Sequence, residues 1–396
     1  MGTGSEPHMT FIPPGKLGGS VPVPVFHRGR SIMLLMAVLL CIAIFRADTL
    51  ADEPPEVDEV RIGYFGPSDS DETQSSQMWR AAKLAVEKAN REGGYRGKPF
   101  RLAPGWSKNP WGTGVKKVTR MVYDDKVVAI VGGIDGPSTH LAEQVVAKAR
   151  LTLISPVATD RSVNLANVPW TFSIAPGDHL LAKALTDGIV HQVGNSPFVS
   201  IAADDHDSHL LAVELRKCFA KRKIVPRFHF DFRAGAKDAA ELARRIVESK
   251  PSAAVLIAGT ADTQKYIAAL RSKGFTAPIF VGPAATPSEN VVFPKRGQKY
   301  FPGGRPRADG KNSSDPFCAK TYDAVCLLVD AVRKSGLDRA GIRQAVKELS
   351  PYEGLSGTVT WDRFGGNTRA VELGTIIDGR VESFPPPDEQ AGSTPR

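Results

Sequence analysis

The sequence predicts an α/β protein built from two doubly wound, Rossmann-like lobes. Three observations carry this. Short apolar runs alternate with amphipathic stretches from Val60 onward. The alternation pauses near Asp178 and then restarts. The chain has 396 residues, 42% hydrophobic and 23% charged, enough for two domains. Strands alternating with helices make parallel sheets, and two successive runs of such units make two sheets rather than one. In paired lobes of this kind ligands lodge in the cleft between them.

The first run opens with a strand at Val60–Phe65 (VRIGYF). Trp79, Ala82, Leu84, Val86 and Ala89 fall at mainly helical spacing, which predicts a helix over Ser76–Arg91 that Gly93-Gly94 stops. A strand over Lys98–Leu102 and a helix over Gly114–Tyr123 follow. Val127–Val131 is apolar without interruption, the mark of a strand buried on both faces. A glycine turn over Gly132–Gly136 leads to a helix over Ser138–Ala149 and a strand over Leu151–Ile154, which exits through Ser155-Pro156-Val157-Ala158-Thr159. Thr171–Ile174 reads as extended and Leu180–Val193 as helical.

The second run predicts strands at Phe198–Ala202, Arg227–Asp231, Ala253–Ala258 and Ile279–Gly282. Helices at Ser208–Lys221, Asp238–Ser249 and Thr263–Lys273 separate them. A Pro/Gly-rich stretch, Phe293–Gly310, precedes a long helix over Pro316–Lys334 and another over Arg339–Leu349. Strands are expected at Thr358–Trp361 and Glu372–Ile377, and residues 385–396 read as a disordered tail.

Residues 1–51 stand apart. Arg28 and Arg30 precede the apolar run Ser31–Phe45, and RADTLA leads into the acidic, Pro-rich DEPPEVDE. A basic flank, a short apolar core and a small-residue exit make a secretory signal peptide, with cleavage expected after Ala51. The run is shorter than the ~20 residues of a spanning helix, although a retained anchor is the other reading. The net charge of +9 comes without a basic cluster interleaved with aromatics, so nucleic acid is not an expected partner. Beyond the signal segment the cysteines are Cys218, Cys318 and Cys326, too few and too spread for a disulfide scaffold or a metal cluster.

Catalytic signatures are missing: there is no GxSxG elbow, Walker loop, GxGxxG, HExxH or SxxK. Asp204-Asp205-His206-Asp207-Ser208-His209 ends a strand and opens a helix. It reads as a solvated loop with Asp207 or Ser208 as helix cap, as a cleft lining, or as a metal site formed by His206 and His209 with an aspartate. Ser68-Asp69-Ser70-Asp71-Glu72-Thr73 reads as a polar lip or a solvated loop. Gly132-Gly133-Ile134-Asp135-Gly136-Pro137-Ser138-Thr139 could hold an anion on its backbone N–H groups, or could be a tight turn capped by Ser138.

These pieces, in this order, resemble the leucine/isoleucine/valine-binding protein family, the type I periplasmic solute-binding proteins of ABC uptake systems. The resemblance runs from about Glu59 to Val381 and rests on Gly66-Pro67, AAKLAVEKANREGGYRGKPF, DDKVVAIVGG, LISPVATD, IAPGD, TYDAVCLLVDAVRKSG and GLSGTVTWDRFGGN. It implies two lobes joined by three crossovers, with residues 58–178 and 306–372 in the first and 179–305 and 373–384 in the second. It further implies a small-molecule ligand in the cleft, an ABC permease as membrane partner, no cofactor and no enzymatic activity. A sensor of the same fold, signalling rather than transporting, is the alternative.

Carried over, the resemblance puts a ligand carboxylate near Gly136 and Ser138, and on Val157 and Thr159 of the Ser-Pro-x-Ala-Thr strand end. It puts Asp178 near a ligand ammonium. Asp207-Ser208 stands where many relatives have Tyr-Gly, and Gly282-Pro283 is followed by Ala284-Ala285-Thr286 rather than an acid. Either Asp178, Asp207 or Glu289 therefore serves an ammonium, or the ligand is not a free α-amino acid. The polar first loop favours a more polar ligand than leucine.

Overall fold

The computed structural model describes residues 58–68, 74–107, 109–194, 196–284, 288–295, 316–378 and 380–385. The first lobe begins with β1 (Val60–Phe65), α1 (Gln74–Arg91), β2 (Phe100–Gly105), α2 (Val115–Tyr123), β3 (Ala129–Gly132), α3 (Gly136–Ala149), β4 (Thr152–Ser155), the single turn α4 (Ser162–Leu165) and β5 (Thr171–Pro176). The chain then enters the second lobe through α5 (Asp178–Val193) and continues as β6 (Phe198–Ala203), α6 (His206–Arg222), β7 (Phe228–Phe232), α7 (Ala239–Glu248), β8 (Ala253–Ile257), α8 (Thr260–Ser272), β9 (Ile279–Val281) and β10 (Val291–Pro294). It returns to the first lobe for α9 (Pro316–Ser335), α10 (Arg339–Glu348), the hairpin β11 (Tyr352–Gly354) and β12 (Gly357–Val359), and β13 (Gly366–Asn367). It finishes in the second with β14 (Leu373–Ile377) and β15 (Arg380–Phe384).

The first sheet runs β13-β5-β4-β3-β1-β2 and the second β15-β14-β10-β9-β8-β6-β7. Every pairing in the first is parallel. In the second only β10-β14-β15 is antiparallel.

The apolar strand runs follow from burial on both faces. Successive residues of β3 alternate between two cores: Val131 joins Ile62, Tyr64 and the α1, α9 and α10 side chains, while Ile130 joins Phe65, Leu153 and the α2 and α3 side chains. Several polar residues of the motifs are ties between elements. The Asn90 side chain donates to Phe100 O at 3.0 Å and accepts from Phe100 N at 2.7 Å, locking α1 to β2. Asn367 donates to Ile174 O at 2.7 Å beneath the end of β5. Gly354-Leu355-Ser356-Gly357 is the turn of a hairpin clamped on buried Asp323 of α9, which accepts from Leu355 N, Ser356 N and Ser356 Oγ at 2.8, 2.7 and 2.6 Å.

Several expected boundaries shift. Helices α3, α5 and α6 begin two residues before their predicted starts, and α8 three before its own. The cap of α3 is Asp135 and that of α6 is Asp205, not Ser138, Asp207 or Ser208. Strands β10, β11, β13 and β15 and the short turn α4 were not expected. Cys218, Cys318 and Cys326 form no disulfide. The expected signal segment, the loop over 69–73, residues 285–287 and the tail from 386 lie outside the described residues.

Candidate functional site

The turns that leave β3 and β4 in the first lobe meet the turn that leaves β6 in the second. These are carboxyl ends of strands, where open α/β sheets bind ligands. The turn after β3 is built on glycine: at Gly133, φ is +82° and a Cβ would lie 2.1 Å from Thr139 Oγ1. Asp135 then caps α3, accepting from Ser138 N at 2.8 Å. Ser138 completes a capping box. Its hydroxyl oxygen accepts from Ile134 N at 3.0 Å and Asp135 N at 3.3 Å, and it donates to the Asp135 carboxylate. Ser138 is fully buried, with its hydroxyl committed to the turn.

The N–H that the cap leaves over is that of Gly136, and Asp207 takes it. Because Asp205 caps α6 through Ser208 N at 3.1 Å, the Asp207 side chain is free to reach across to the first lobe. Gly136 N donates to both of its oxygens, at 3.1 and 3.3 Å. Burial pushes the Asp207 carboxyl up to about 6 and the Asp135 carboxylate adds to the rise, while the Gly136 N–H opposes both.

Asp160, at the end of the Ser155–Thr159 exit, is the hub of a second tie. It is 3% exposed. One oxygen accepts from Ser162 N at 2.8 Å; the other meets His140 Nε2 at 3.2 Å and His206 Nε2 at 3.0 Å. The other ring nitrogen of His140 lies 2.9 Å from buried Glu143. Burial alone would raise the Asp160 carboxyl, but the hydrogen bonds of His140, His206 and Ser162 outweigh it and hold it well below the usual range. The same bonds to Asp160 and Glu143 lift His140 to about 9, so it is an imidazolium at neutral pH.

Asp178 opens α5 beside these groups. Its backbone N donates to Thr159 O at 2.8 Å, which fastens the ends of β4 and β5 together. The side chain is 1% exposed, and no hydrogen bond of ordinary geometry reaches either carboxylate oxygen. Burial raises its carboxyl far above the usual range, and Asp207, Asp160 and Glu214 push the same way; the nearby Thr159 side chain opposes them.

Of the expected site residues, the structure thus joins Gly136 to Asp207 directly and sets Asp178 against Thr159. Ser138 serves the α3 cap, and Val157 is 6% exposed in the strand exit. Ser155 is buried, its hydroxyl 3.3 Å from that of Thr139. Of the DDHDSH loop, Asp204 accepts from Ala234 N at 2.8 Å, and His209 is exposed. Among the described residues no three His, Cys, Asp or Glu side chains are placed to hold a metal ion.

The reading of residues missed Asp160, His140 and Glu143. Asp160 closes the LISPVATD motif, and His140 and Glu143 are an i,i+3 pair one turn into α3. That spacing was the available signal.

The sequence profile of the periplasmic binding protein family matches residues 59–292. An amino acid binding protein of Pseudomonas aeruginosa is 23% identical over 326 residues, which is 78% of this chain and 87% of that protein. The fold is that of LivJ, the branched-chain amino acid transporter substrate binding protein of Streptococcus pneumoniae, solved with isoleucine (TM-score 0.71, 21% identity, covering 82% of this chain and 98% of that one). It is equally that of the leucine binding protein LivK of Thermotoga maritima (TM-score 0.69, 19% identity, 83% and 99%). With more than half of its length matched by the profile, the chain belongs to the periplasmic binding protein family.

Proposed function

We propose that this chain is the extracytoplasmic receptor of an ABC-type uptake system, which holds a small polar molecule between its lobes and hands it to a membrane permease. The observation that carries the reading is the pair of polar ties across the cleft, Asp207 on Gly136 and His206 on Asp160, with the unpartnered carboxyl of Asp178 buried beside them. Such a constellation closes two lobes around a polar guest by hydrogen bonding rather than by chemistry on it. The relatives named above support the transport role, and no observation favours the signalling alternative. In this reading Gly136, Val157, Thr159, Asp178 and Asp207 line the ligand, and Ser138 shapes the turn that presents Gly136. A signal peptide over residues 1–51 would deliver the chain to the periplasm.

Isothermal titration of the purified protein with amino acids, amides, urea and small carboxylates tests it. Saturable one-to-one binding of at least one class is expected. A chain that binds none of them and copurifies with a sensor protein would remove the uptake reading.

A further inference from the structure

We infer that the cleft selects a small N–H donor that lacks a carboxylate, an amine or an amide, because the chain supplies its own carboxylate, Asp207, at the anion position of α3. The inference rests on the receptor reading above and names its ligand class.

The N-terminus of a helix attracts an anion through its free N–H groups and dipole. On α3 this attraction is already answered from within the molecule. Both oxygens of Asp207 share Gly136 N, and the space over Gly136 is full: a Cβ there would stand 2.7 Å from Asp207 Oδ1 and 2.8 Å from Asp160 Oδ2. The remaining N–H groups of the turn, those of Ile134, Asp135 and Ser138, are bound within the cap. A ligand carboxylate would have to displace Asp207 and leave that charge, already partly buried, without its donor.

Beside the Thr159 hydroxyl, the rest of the site presents the oxygens of Asp178. Asp178 is 1% exposed with both oxygens unpartnered. Asp207 and Asp160 lie near enough to raise its carboxyl. The imidazoles of His140 and His206 are both directed at Asp160. A guest bearing N–H groups satisfies the unpartnered oxygens of Asp178; a guest bearing a carboxylate offers them no donor and meets Asp207 on the N–H it would need. The shared chemistry is the N–H donor, and its two sources differ in charge: an ammonium brings a cation to the buried carboxyls of Asp178 and Asp207, whereas an amide brings none.

The test is titration calorimetry at pH 7.5 with matched probes: leucine and leucinamide, alanine and alaninamide, and propylamine and propionamide. In the wild type, each amino-acid amide is expected to bind at least tenfold tighter than its acid. In Asp207→Ala that preference should shrink at least tenfold, because Gly136 N is released. Asp207→Asn, which keeps an acceptor on Gly136, should stay closer to the wild type and guards against a folding artefact, checked by the melting temperature. Comparing propylamine with propionamide tells ammonium from amide by which of the two binds. An acid that binds as tightly as its amide, or tighter, overturns the inference and leaves the receptor reading standing. Absence of binding by every probe overturns both.

Discussion

At the scale of single residues, the site is decided by which carboxylates have partners and which do not. Asp160 is satisfied by His140, His206 and Ser162, whereas Asp178 is buried without any. His140, lifted to about 9 by Asp160 and Glu143, contributes stability that is fully present below the ordinary histidine value of 6.5 and lost as the pH rises through about 9. Urea denaturation of the wild type and His140→Asn between pH 6 and 10 should therefore show the wild-type advantage shrinking by about 3 kcal/mol at most. An advantage independent of pH would mean that His140 is neutral in its site. For ligand contact, Thr159→Ala should weaken binding by about 1–3 kcal/mol, the scale of an unsatisfied buried polar partner. An unaltered affinity in calorimetry would place the pocket elsewhere. Asp178 and Thr159 were legible from the order of motifs, whereas the Asp160 hub was not. It is assembled from α3, the β4 exit and α6, and pairing over such separations leaves no local pattern.

At the scale of elements, legibility tracks burial. The strands Val60–Phe65, buried but for Arg61, and Ala253–Ile257, buried throughout, were readable almost to the residue. The edge strand β15 was not, although the edge strand β7 was readable to within one residue: in β15, Arg380, Val381 and Glu382 are exposed, and the strand exists because β14 supplies its hydrogen bonds. Helix starts were placed late for a related reason. The first turns of α3 and α6, such as Gly136-Pro137 and His206-Asp207, carry no apolar periodicity, and the caps Asp135 and Asp205 define them instead. The hairpin clamp offers a test at this scale. Asp323→Ala strands the N–H groups of Leu355 and Ser356, and should destabilise the first lobe by about 2–4 kcal/mol in denaturant unfolding. Asp323→Asn, able to keep at least one of these acceptors, should cost less. Equal losses in the two variants would show that packing rather than hydrogen bonding holds the hairpin.

At the scale of the whole molecule, the two-lobed α/β architecture was legible because the alternation of strand and helix stops and restarts, a signal that survives errors in any one element. How the lobes engage was not legible, since it depends on a helix cap moving by two residues. With Asp205 as cap, His206 and Asp207 become the first-turn residues that cross the cleft. Removing one tie should loosen closure without unfolding either lobe. His206→Ala, at a half-exposed side chain, should shift the ligand-free ensemble toward open forms, visible as a larger radius of gyration by solution scattering, while the melting profile stays within ~1 kcal/mol of the wild type. An unchanged scattering profile would mean that the His206 tie carries no closing force.

The adjacency of His206 and Asp207 also has a kinetic consequence. Both grips on the first lobe are mounted on the first turn of a 17-residue helix, so separating the lobes must break the two together. Opening then has one barrier rather than two, and reporters placed on either side of the cleft should relax with a common rate constant. Two resolved exchange processes in NMR relaxation dispersion would show the grips failing one at a time. A single process would make α6 the escapement of the receptor, releasing its guest in discrete steps rather than by gradual leakage.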